Sequence, residues 1–250
     1  MIEALTTSQR SGVIDGDRRL FVDGDRSDDM LRYVTTNAGK VREAETYLAD
    51  GTVRQLDFDY TEIQADSLAP IAARGAREAY REAGGPVLVD DAGLFIEALD
   101  GFPGPYSSYV ETTLGIDRVW AIARDLENRR AAFRCTLAYC DGDDFAATPD
   151  PIDRGDRSAA AAAGPARDSD EASTEGSTEP ATSTDVLPVK LFQGAVPGRM
   201  VAPRGDGGFG YDPIFEHDGE TLAEMSTAAK NAVSHRGRAL EKFAEWFADR

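Results

Sequence analysis

Val87-Leu88-Val89, followed at once by Asp90-Asp91, decides the fold class. Three consecutive apolar residues mark a strand buried on both faces, the habit of parallel sheets with helices on either side. Such a strand delivers the residues after it to the carboxyl edge of the sheet, where α/β folds bind ligands. Toward the N-terminus, Ser67 to Glu82 is Ala-rich and helical, and Gly84-Gly85-Pro86 stops it. Val53 to Tyr60 and Leu31 to Thr35 read as strands. Between them Asn37 can cap a helix whose apolar face is Val41, Ala44, Tyr47 and Leu48. Toward the C-terminus, Leu94 to Leu99 continues extended and Asp100 to Pro105 is a turn-rich loop. A helix over 113–126 comes next, then strands at Ala131–Tyr139 and Leu187–Val196. A last helix carries Leu240, Phe243, Ala244 and Phe247 at i, i+3, i+4 and i+7. Strands interleaved with helices predict an α/β fold.

The chain has 250 residues, enough for one large α/β domain or two small ones. No apolar run approaches the roughly 18 residues of a membrane span, and Met1 to Asp29 lacks the apolar core of a secretory signal. Cys135 and Cys140 are the two cysteines. Their odd spacing puts them on opposite faces of one strand, which argues against a bond and fits buried thiols in a reducing cytoplasm. A net charge of −18 disfavours non-specific binding to nucleic acid or to anionic membrane. That charge is concentrated: residues 141–185 hold twelve acids against three arginines, with a five-alanine run and many Ser and Thr. Too little there is apolar to form a core, so 141–185 is expected to be a disordered or loosely held insertion. Residues 1–29 are expected to be a disordered N-terminal extension. The remainder, 30–250, then forms a single domain interrupted by the acidic tract. Only four of 27 basic residues are lysine. An acidic, lysine-poor chain points to a high-salt cytoplasm, although a GC-rich genome also favours arginine.

Four stretches could carry chemistry. Thr35-Thr36-Asn37-Ala38-Gly39-Lys40 lies between a strand and a helix start, where N–H groups and a lysine suit a phosphate; a plain strand-to-helix turn reads equally well. Asp90-Asp91 crowds two charges at a sheet edge, with Glu62 as a third carboxylate, although two solvated turn acids give the same pattern. With two histidines and two cysteines in the chain, any metal there is oxygen-bound, Mg²⁺ first and Mn²⁺ second. Arg204 to Pro213 is glycine-rich, which implies close approach or positive φ. Within it Phe209 and Tyr211 offer flat faces for a base and Asp212 an acceptor for ring N–H groups; the plainer reading is a glycine-rich hairpin with a core aromatic. Last, Ser234 can cap the final helix, placing His235 and Arg236 in a first turn where cations oppose the helix dipole unless an anion sits opposite.

With these residues in hand, the chain resembles the inosine triphosphate pyrophosphatase family, the XTP/dITP diphosphatases, in an archaeal-like, high-salt form. The resemblance rests on Leu31 to Lys40, Val87 to Tyr109 and Gly194 to Leu240, more loosely on Tyr60 to Arg77. Val-Asp-Asp-Ala-Gly-Leu, Gly-Phe-Pro-Gly-Pro-Tyr and Lys-Asn-Ala-Val-Ser-His-Arg are its most specific wording. It implies Asp91 as general base and metal ligand, Glu62 as the other metal carboxylate, and Asp90 in support. It implies Thr35, Thr36, Asn37, Ala38, Gly39 and Lys40 as a triphosphate cradle. Phe209, Gly210, Tyr211, Asp212, Lys230, His235 and Arg236 would contact the nucleotide and base. It further implies an elongated mixed sheet flanked by helices, two lobes with the substrate cleft between them, and a cytoplasmic homodimer. The expected activity is Mg²⁺-dependent hydrolysis of ITP, dITP and XTP to monophosphate and pyrophosphate. A less selective nucleotide pyrophosphatase and a non-catalytic nucleotide sensor are the alternatives. This chain departs from the family at Ala92, often Ser, at Thr36, usually Gly, and at Gly75, where a lysine is expected. Arg77, two residues on, is the substitute the sequence offers.

Overall fold

The computed structural model describes residues 30–48, 52–143 and 187–250. The expectations for residues 1–29, and for 144–185 of the acidic tract, lie outside these. One mixed sheet of seven strands has the order β2-β1-β3-β4-β5-β6-β7. β1 (Leu31–Val34), β2 (Val53–Leu56) and β3 (Val87–Ile96) run parallel. β4 (Arg130–Cys140), β5 (Lys190–Met200), β6 (Phe215–His217) and β7 (Glu220–Thr221) continue it antiparallel from β3. The helices are α1 (Ala38–Glu45), α2 (Leu68–Ala83), α3 (Ser107–Leu114), α4 (Ile116–Ala123), α5 (Thr227–Ala232) and α6 (His235–Ala248). The architecture is the expected α/β one, a mixed sheet flanked by helices.

Each face of the sheet has its own core. On one, Leu31, Tyr33, Leu88 and Leu137 pack against Ala44 of α1 and Leu240 and Phe243 of α6. On the other, Val34, Val87, Val89 and Ala138 pack against Ala72, Ala76 and Ala79 of α2. The small α2 residues let that helix lie close to the sheet. Cys135 belongs to the first core and Cys140 to the second, both as free thiols, as their odd spacing requires. A third core joins Leu94 and Ile96 to Val110, Val119, Tyr211, Ile214 and Phe215.

One mismatch of strand length creates the site. β1 ends at Val34, opposite Val89, whereas β3 runs on to Ile96 along β4. Asp90 and Asp91 are therefore not at the end of a strand, as the sequence suggested. They occupy the middle of one, at the first positions where the β1 side of β3 is uncovered. The long antiparallel partner β4 supplies the ladder that carries the strand through them.

Local boundaries obey local chemistry. Asn37 caps α1 by accepting the Gly39 N–H. α2 begins after Ser67 and ends at Gly84, whose φ of 67° closes it in the left-handed conformation. The single helix expected over 113–126 is two, α3 and α4, because Gly115 with φ 77° interrupts the helical path. β2 stops at Leu56 rather than Tyr60, and Glu97–Leu99 is a 3₁₀ turn rather than extended chain. The glycine-rich stretch is not a hairpin; it leads into a 3₁₀ turn at Asp212–Ile214. No helix among the described residues is long and apolar enough to cross a membrane.

Candidate active site

Asp90 is the hub of a buried ion network. Its side chain is 1% exposed. Lys40 Nζ donates to both of its oxygens, at 2.9 and 3.1 Å, Arg236 Nε donates to Oδ2 at 3.0 Å, and the Tyr33 hydroxyl donates to Oδ1 at 2.9 Å. Burial opposes ionisation, but the Arg236 and Lys40 charges outweigh it and hold this carboxyl well below the usual range. Arg236 also donates from Nη1 to Glu43 at 3.1 Å, and Glu43 accepts from the Ser234 hydroxyl at 2.5 Å. The anion that the first turn of α6 needed is thus internal, supplied by Asp90 and Glu43. His235 is not a cation at all. It stacks on Phe133, with ring centroids 5.2 Å apart, and burial together with the Arg236 charge pushes its pKa down to about 3.

Asp91 points the other way. Neighbours on a strand alternate faces, and Asp90 pairs with Leu137 of the α6-side core, whereas Asp91 pairs with Thr136. Asp91 Oδ1 accepts the Ala92 N–H at 3.0 Å; its Oδ2 is buried and, among the described residues, has no hydrogen-bond partner. Burial raises this carboxyl, the charges of Asp90 and Glu62 add to the effect, and its pKa reaches about 7. The Tyr60 hydroxyl is raised by burial and by Asp91, Asp90 and Glu62. A buried carboxylate oxygen without a hydrogen-bond partner among the described residues, within electrostatic reach of the exposed Glu62 carboxylate, suits a hard divalent cation. No cluster of three or more His, Cys, Asp or Glu side chains that could hold a metal is present among the described residues. Two carboxylates are what Mg²⁺ commonly takes from protein when phosphates and water fill its other positions. Asp90, expected in support of a metal, has both oxygens given to cations and faces away from Asp91.

The glycine-rich segment divides its aromatics. Phe209 is 73% exposed, while Tyr211 is 4% exposed and donates its hydroxyl to the Ser107 carbonyl. Only Phe209 offers a face for stacking; Tyr211 is a core residue. Asp212 is also committed, with Oδ2 accepting from Lys230 Nζ and from the Phe209 N–H. Lys230 Nζ in turn lies 4.2 Å from the Phe209 ring centroid. Gly208, with φ 73°, lies so close to Asp212 that a Cβ would stand 2.2 Å from Oδ2. The glycine is needed for that carboxylate to reach the loop. Gly210 has φ 59° and abuts the Glu111 carboxylate.

The expected phosphate cradle is partly self-satisfied. Asn37 N–H donates to Thr35 Oγ1, Gly39 N–H to Asn37 Oδ1 and Lys40 N–H to the Asn37 carbonyl, so three of its amides serve the turn itself, and Thr35 N–H donates to the Leu56 carbonyl. Thr36 and Ala38 are exposed. Arg77 does not join this group: its Nε donates to the Leu187 carbonyl, near Cys140, which pairs with Val87 four residues before Asp91. Sequence reasoning missed Tyr33 and Glu43. Glu43 was open to inference, since it lies one helical turn after Lys40 on α1. An open groove of about 610 Å³ lies elsewhere, around Arg130, Arg199 and Glu216, six residues along β4 from Thr136. Its mixed charges favour no one ligand.

Over residues 31–150 and 168–246 the chain matches the Ham1 family. It is 38% identical over 221 residues to the dITP/XTP pyrophosphatase of Thermococcus kodakarensis, covering 86% of this chain and 96% of that protein. Identity to the Methanopyrus kandleri dITP/XTP pyrophosphatase is 40% over 220 residues, covering 86% and 94%. The inosine triphosphate pyrophosphatase of Tuber melanosporum is 35% identical over 218 residues, covering 86% and 95%. Among solved structures, a HAM1 protein from Coxiella burnetii matches with a TM-score of 0.64 at 26% identity, covering 89% of this chain and all of that one. Motifs, sheet order and these likenesses agree, and the chain belongs to the Ham1 family.

Proposed function

We propose that this chain hydrolyses the triphosphates of inosine and xanthosine, deoxy forms included, to the monophosphate and pyrophosphate. It thereby removes deaminated purines from the nucleotide pool. The observation that carries this reading is Asp91: a buried carboxylate whose Oδ2 has no hydrogen-bond partner among the described residues, within electrostatic reach of Glu62.

Asp91 and Glu62 would hold Mg²⁺, or Mn²⁺ in its place. The ion supplies Lewis-acid stabilisation of phosphate charge when bound. That supply matters because Lys40 is already paired with Asp90 and Lys230 with Asp212. Asp91 accepts the proton of the attacking water as the water oxygen bonds to the α-phosphorus. The bond from that phosphorus to the α,β-bridging oxygen breaks, and pyrophosphate departs with the electron pair. Lys40, the Thr35–Gly39 turn and Lys230 orient the triphosphate, and Phe209 stacks on the base. Asp90 and Glu43 fix the plane of Arg236, whose fork has donors beyond those two bonds. Those donors, or neutral His235, can reach a purine O6; adenine presents a donor there instead, and such mismatches can cost factors of about 10⁴. A cytoplasmic homodimer belongs to the same reading. A panel of ITP, XTP, ATP, GTP and dUTP with Mg²⁺, at low and high salt, tests it. Selective turnover of ITP and XTP supports the proposal; equal turnover of ATP overturns the selectivity.

A further inference from the structure

Glu62 sits in a stretch, 57–67, that belongs to no helix or strand. Ladder hydrogen bonds therefore do not fix it. Two contacts with one face of α2, both immediately before Glu62, do so instead. The Tyr60 ring lies against Gly75 so closely that a Cβ there would come within 2.7 to 3.0 Å of three ring atoms. Three residues along, on the same face of the helix, Glu78 Oε2 accepts the Thr61 N–H at 2.9 Å. Arg74 Nε donates to the other Glu78 oxygen at 2.8 Å and holds that carboxylate in place. A glycine inside a helix costs stability relative to alanine. Gly75 has an ordinary helical backbone, so close approach, not an unusual φ, is what the glycine provides. α2 thus contributes shape and one acceptor to this corner, and little charge, because Arg74 is spent on Glu78.

We propose that Gly75 and Glu78, acting through Tyr60 and Thr61, are positioning residues that hold the Glu62 carboxylate toward Asp91 and so set the affinity for the divalent cation. This rests on the reading of Glu62 as a metal carboxylate. A clamp of this kind meets the ordering cost of the ligand before the ion arrives, and outer supports of metal ligands commonly matter by about 10- to 100-fold in affinity.

The test is Mn²⁺ binding to the full chain, followed by electron paramagnetic resonance with and without a non-hydrolysable α,β-imido inosine triphosphate. Alongside it, the Mg²⁺ concentration for half-maximal hydrolysis is measured. Gly75→Ala and Glu78→Ala should each weaken Mn²⁺ by about tenfold and raise the Mg²⁺ requirement to match. KM for ITP at saturating Mg²⁺ should stay within about twofold, because no substrate contact is touched. Glu78→Gln keeps an acceptor for the Thr61 N–H and should stay within about threefold of the parent. Glu62→Gln separates the two ideas. If it weakens Mn²⁺ while Glu78→Ala and Gly75→Ala do not, the clamp is wrong and Glu62 keeps its role. If Glu62→Gln binds Mn²⁺ like the parent, the metal role of Glu62 falls and the clamp with it. Should Gly75→Ala fail to fold by circular dichroism, Glu78→Ala decides, since Glu78 lies at the surface end of the contact.

Discussion

Asp90 and Asp91, joined by one peptide bond, face opposite sides of the sheet and are pushed in opposite directions. Asp90 receives Lys40, Arg236 and Tyr33 and is held ionised well below the usual range. Asp91 keeps a buried oxygen with no hydrogen-bond partner among the described residues, and burial with the Asp90 charge raises its carboxyl to about 7. The pleat of β3 is what separates an acid spent on the ion network from one whose buried oxygen has no hydrogen-bond partner among the described residues. Their amides should therefore behave differently. Asp90→Asn leaves Arg236, Lys40 and Glu43 out of balance in a buried place and should lower unfolding stability by about 3–5 kcal/mol in urea titration. Asp91→Asn removes a charge that burial and Asp90 both disfavour, so its stability should match or exceed the parent's. Its kcat should fall by about 10²–10⁴-fold while nucleotide binding persists. Equal destabilisation of the two variants, or an unchanged kcat in Asp91→Asn, would contradict this division of labour.

His235 predicts a signature in acid. Its folded pKa is depressed to about 3 by burial and the Arg236 charge, whereas an unfolded histidine titrates near 6.5. Above pH 6.5 both states are neutral and the residue contributes no pH dependence. As the pH falls from 6.5 toward 3, only the unfolded chain takes the proton, so the folded state loses ground by about 1 kcal/mol per unit. His235→Gln cannot titrate. The stability of the parent relative to this variant should decline steadily between pH 6.5 and 5 and stay level between 7 and 8. A difference independent of pH across that range would mean that folding leaves the proton affinity of His235 unchanged.

The two aromatics of the glycine-rich segment should part company. Phe209→Ala removes an exposed ring and should raise KM for ITP by about tenfold, as loss of a stacking face worth about 1–3 kcal/mol allows, with little change in stability. Tyr211→Phe deletes the bond to the Ser107 carbonyl and should cost about 1 kcal/mol of stability with KM unchanged. Urea midpoints and steady-state kinetics on the same two proteins settle it; a KM effect from Tyr211→Phe would show the ring leaves the core to meet substrate.

Much of the fold is legible in the amino-acid sequence. Asn37 as a cap, Gly84 as a stop, and Leu240 and Phe243 as the buried stripe of α6 are local chemistry, and local chemistry is written in adjacent residues. The candidate site residues came from motifs, but which partners each would take did not. That Asp90 and Asp91 face apart depends on β4 pairing right through both, a partner some 45 residues away in sequence. That Tyr211 is core and Phe209 is not depends on α3 lying beneath one of them. Arg77 looked like a phosphate ligand by position along α2, and only the packing of that helix shows it turned to Leu187. Gly75 read as a missing lysine, whereas its emptiness is filled by Tyr60.

The acidic tract should be dispensable for chemistry. Tyr139 of β4 and Lys190 of β5 are direct cross-strand partners, so the described ends on either side of residues 144–186 are held together by the sheet itself. They lie at the end of β4 beyond Thr136. Replacing 144–186 with a short Gly-Ser linker should leave kcat/KM for ITP within about threefold, under roughly 0.7 kcal/mol. Solubility at low salt should change, because most of the tract's acids are removed with it. A loss beyond tenfold in a folded protein would mean that the tract meets the substrate.

The most direct measurement is ITP hydrolysis with Mg²⁺ in ¹⁸O-water, with products monitored by ³¹P resonance and mass spectrometry. Attack at the α-phosphorus with Asp91 as base predicts IMP and pyrophosphate in equal amounts, one ¹⁸O in the monophosphate and none in the pyrophosphate, with ATP turned over far more slowly. Inorganic phosphate as the first product, or ¹⁸O in the pyrophosphate, would contradict it.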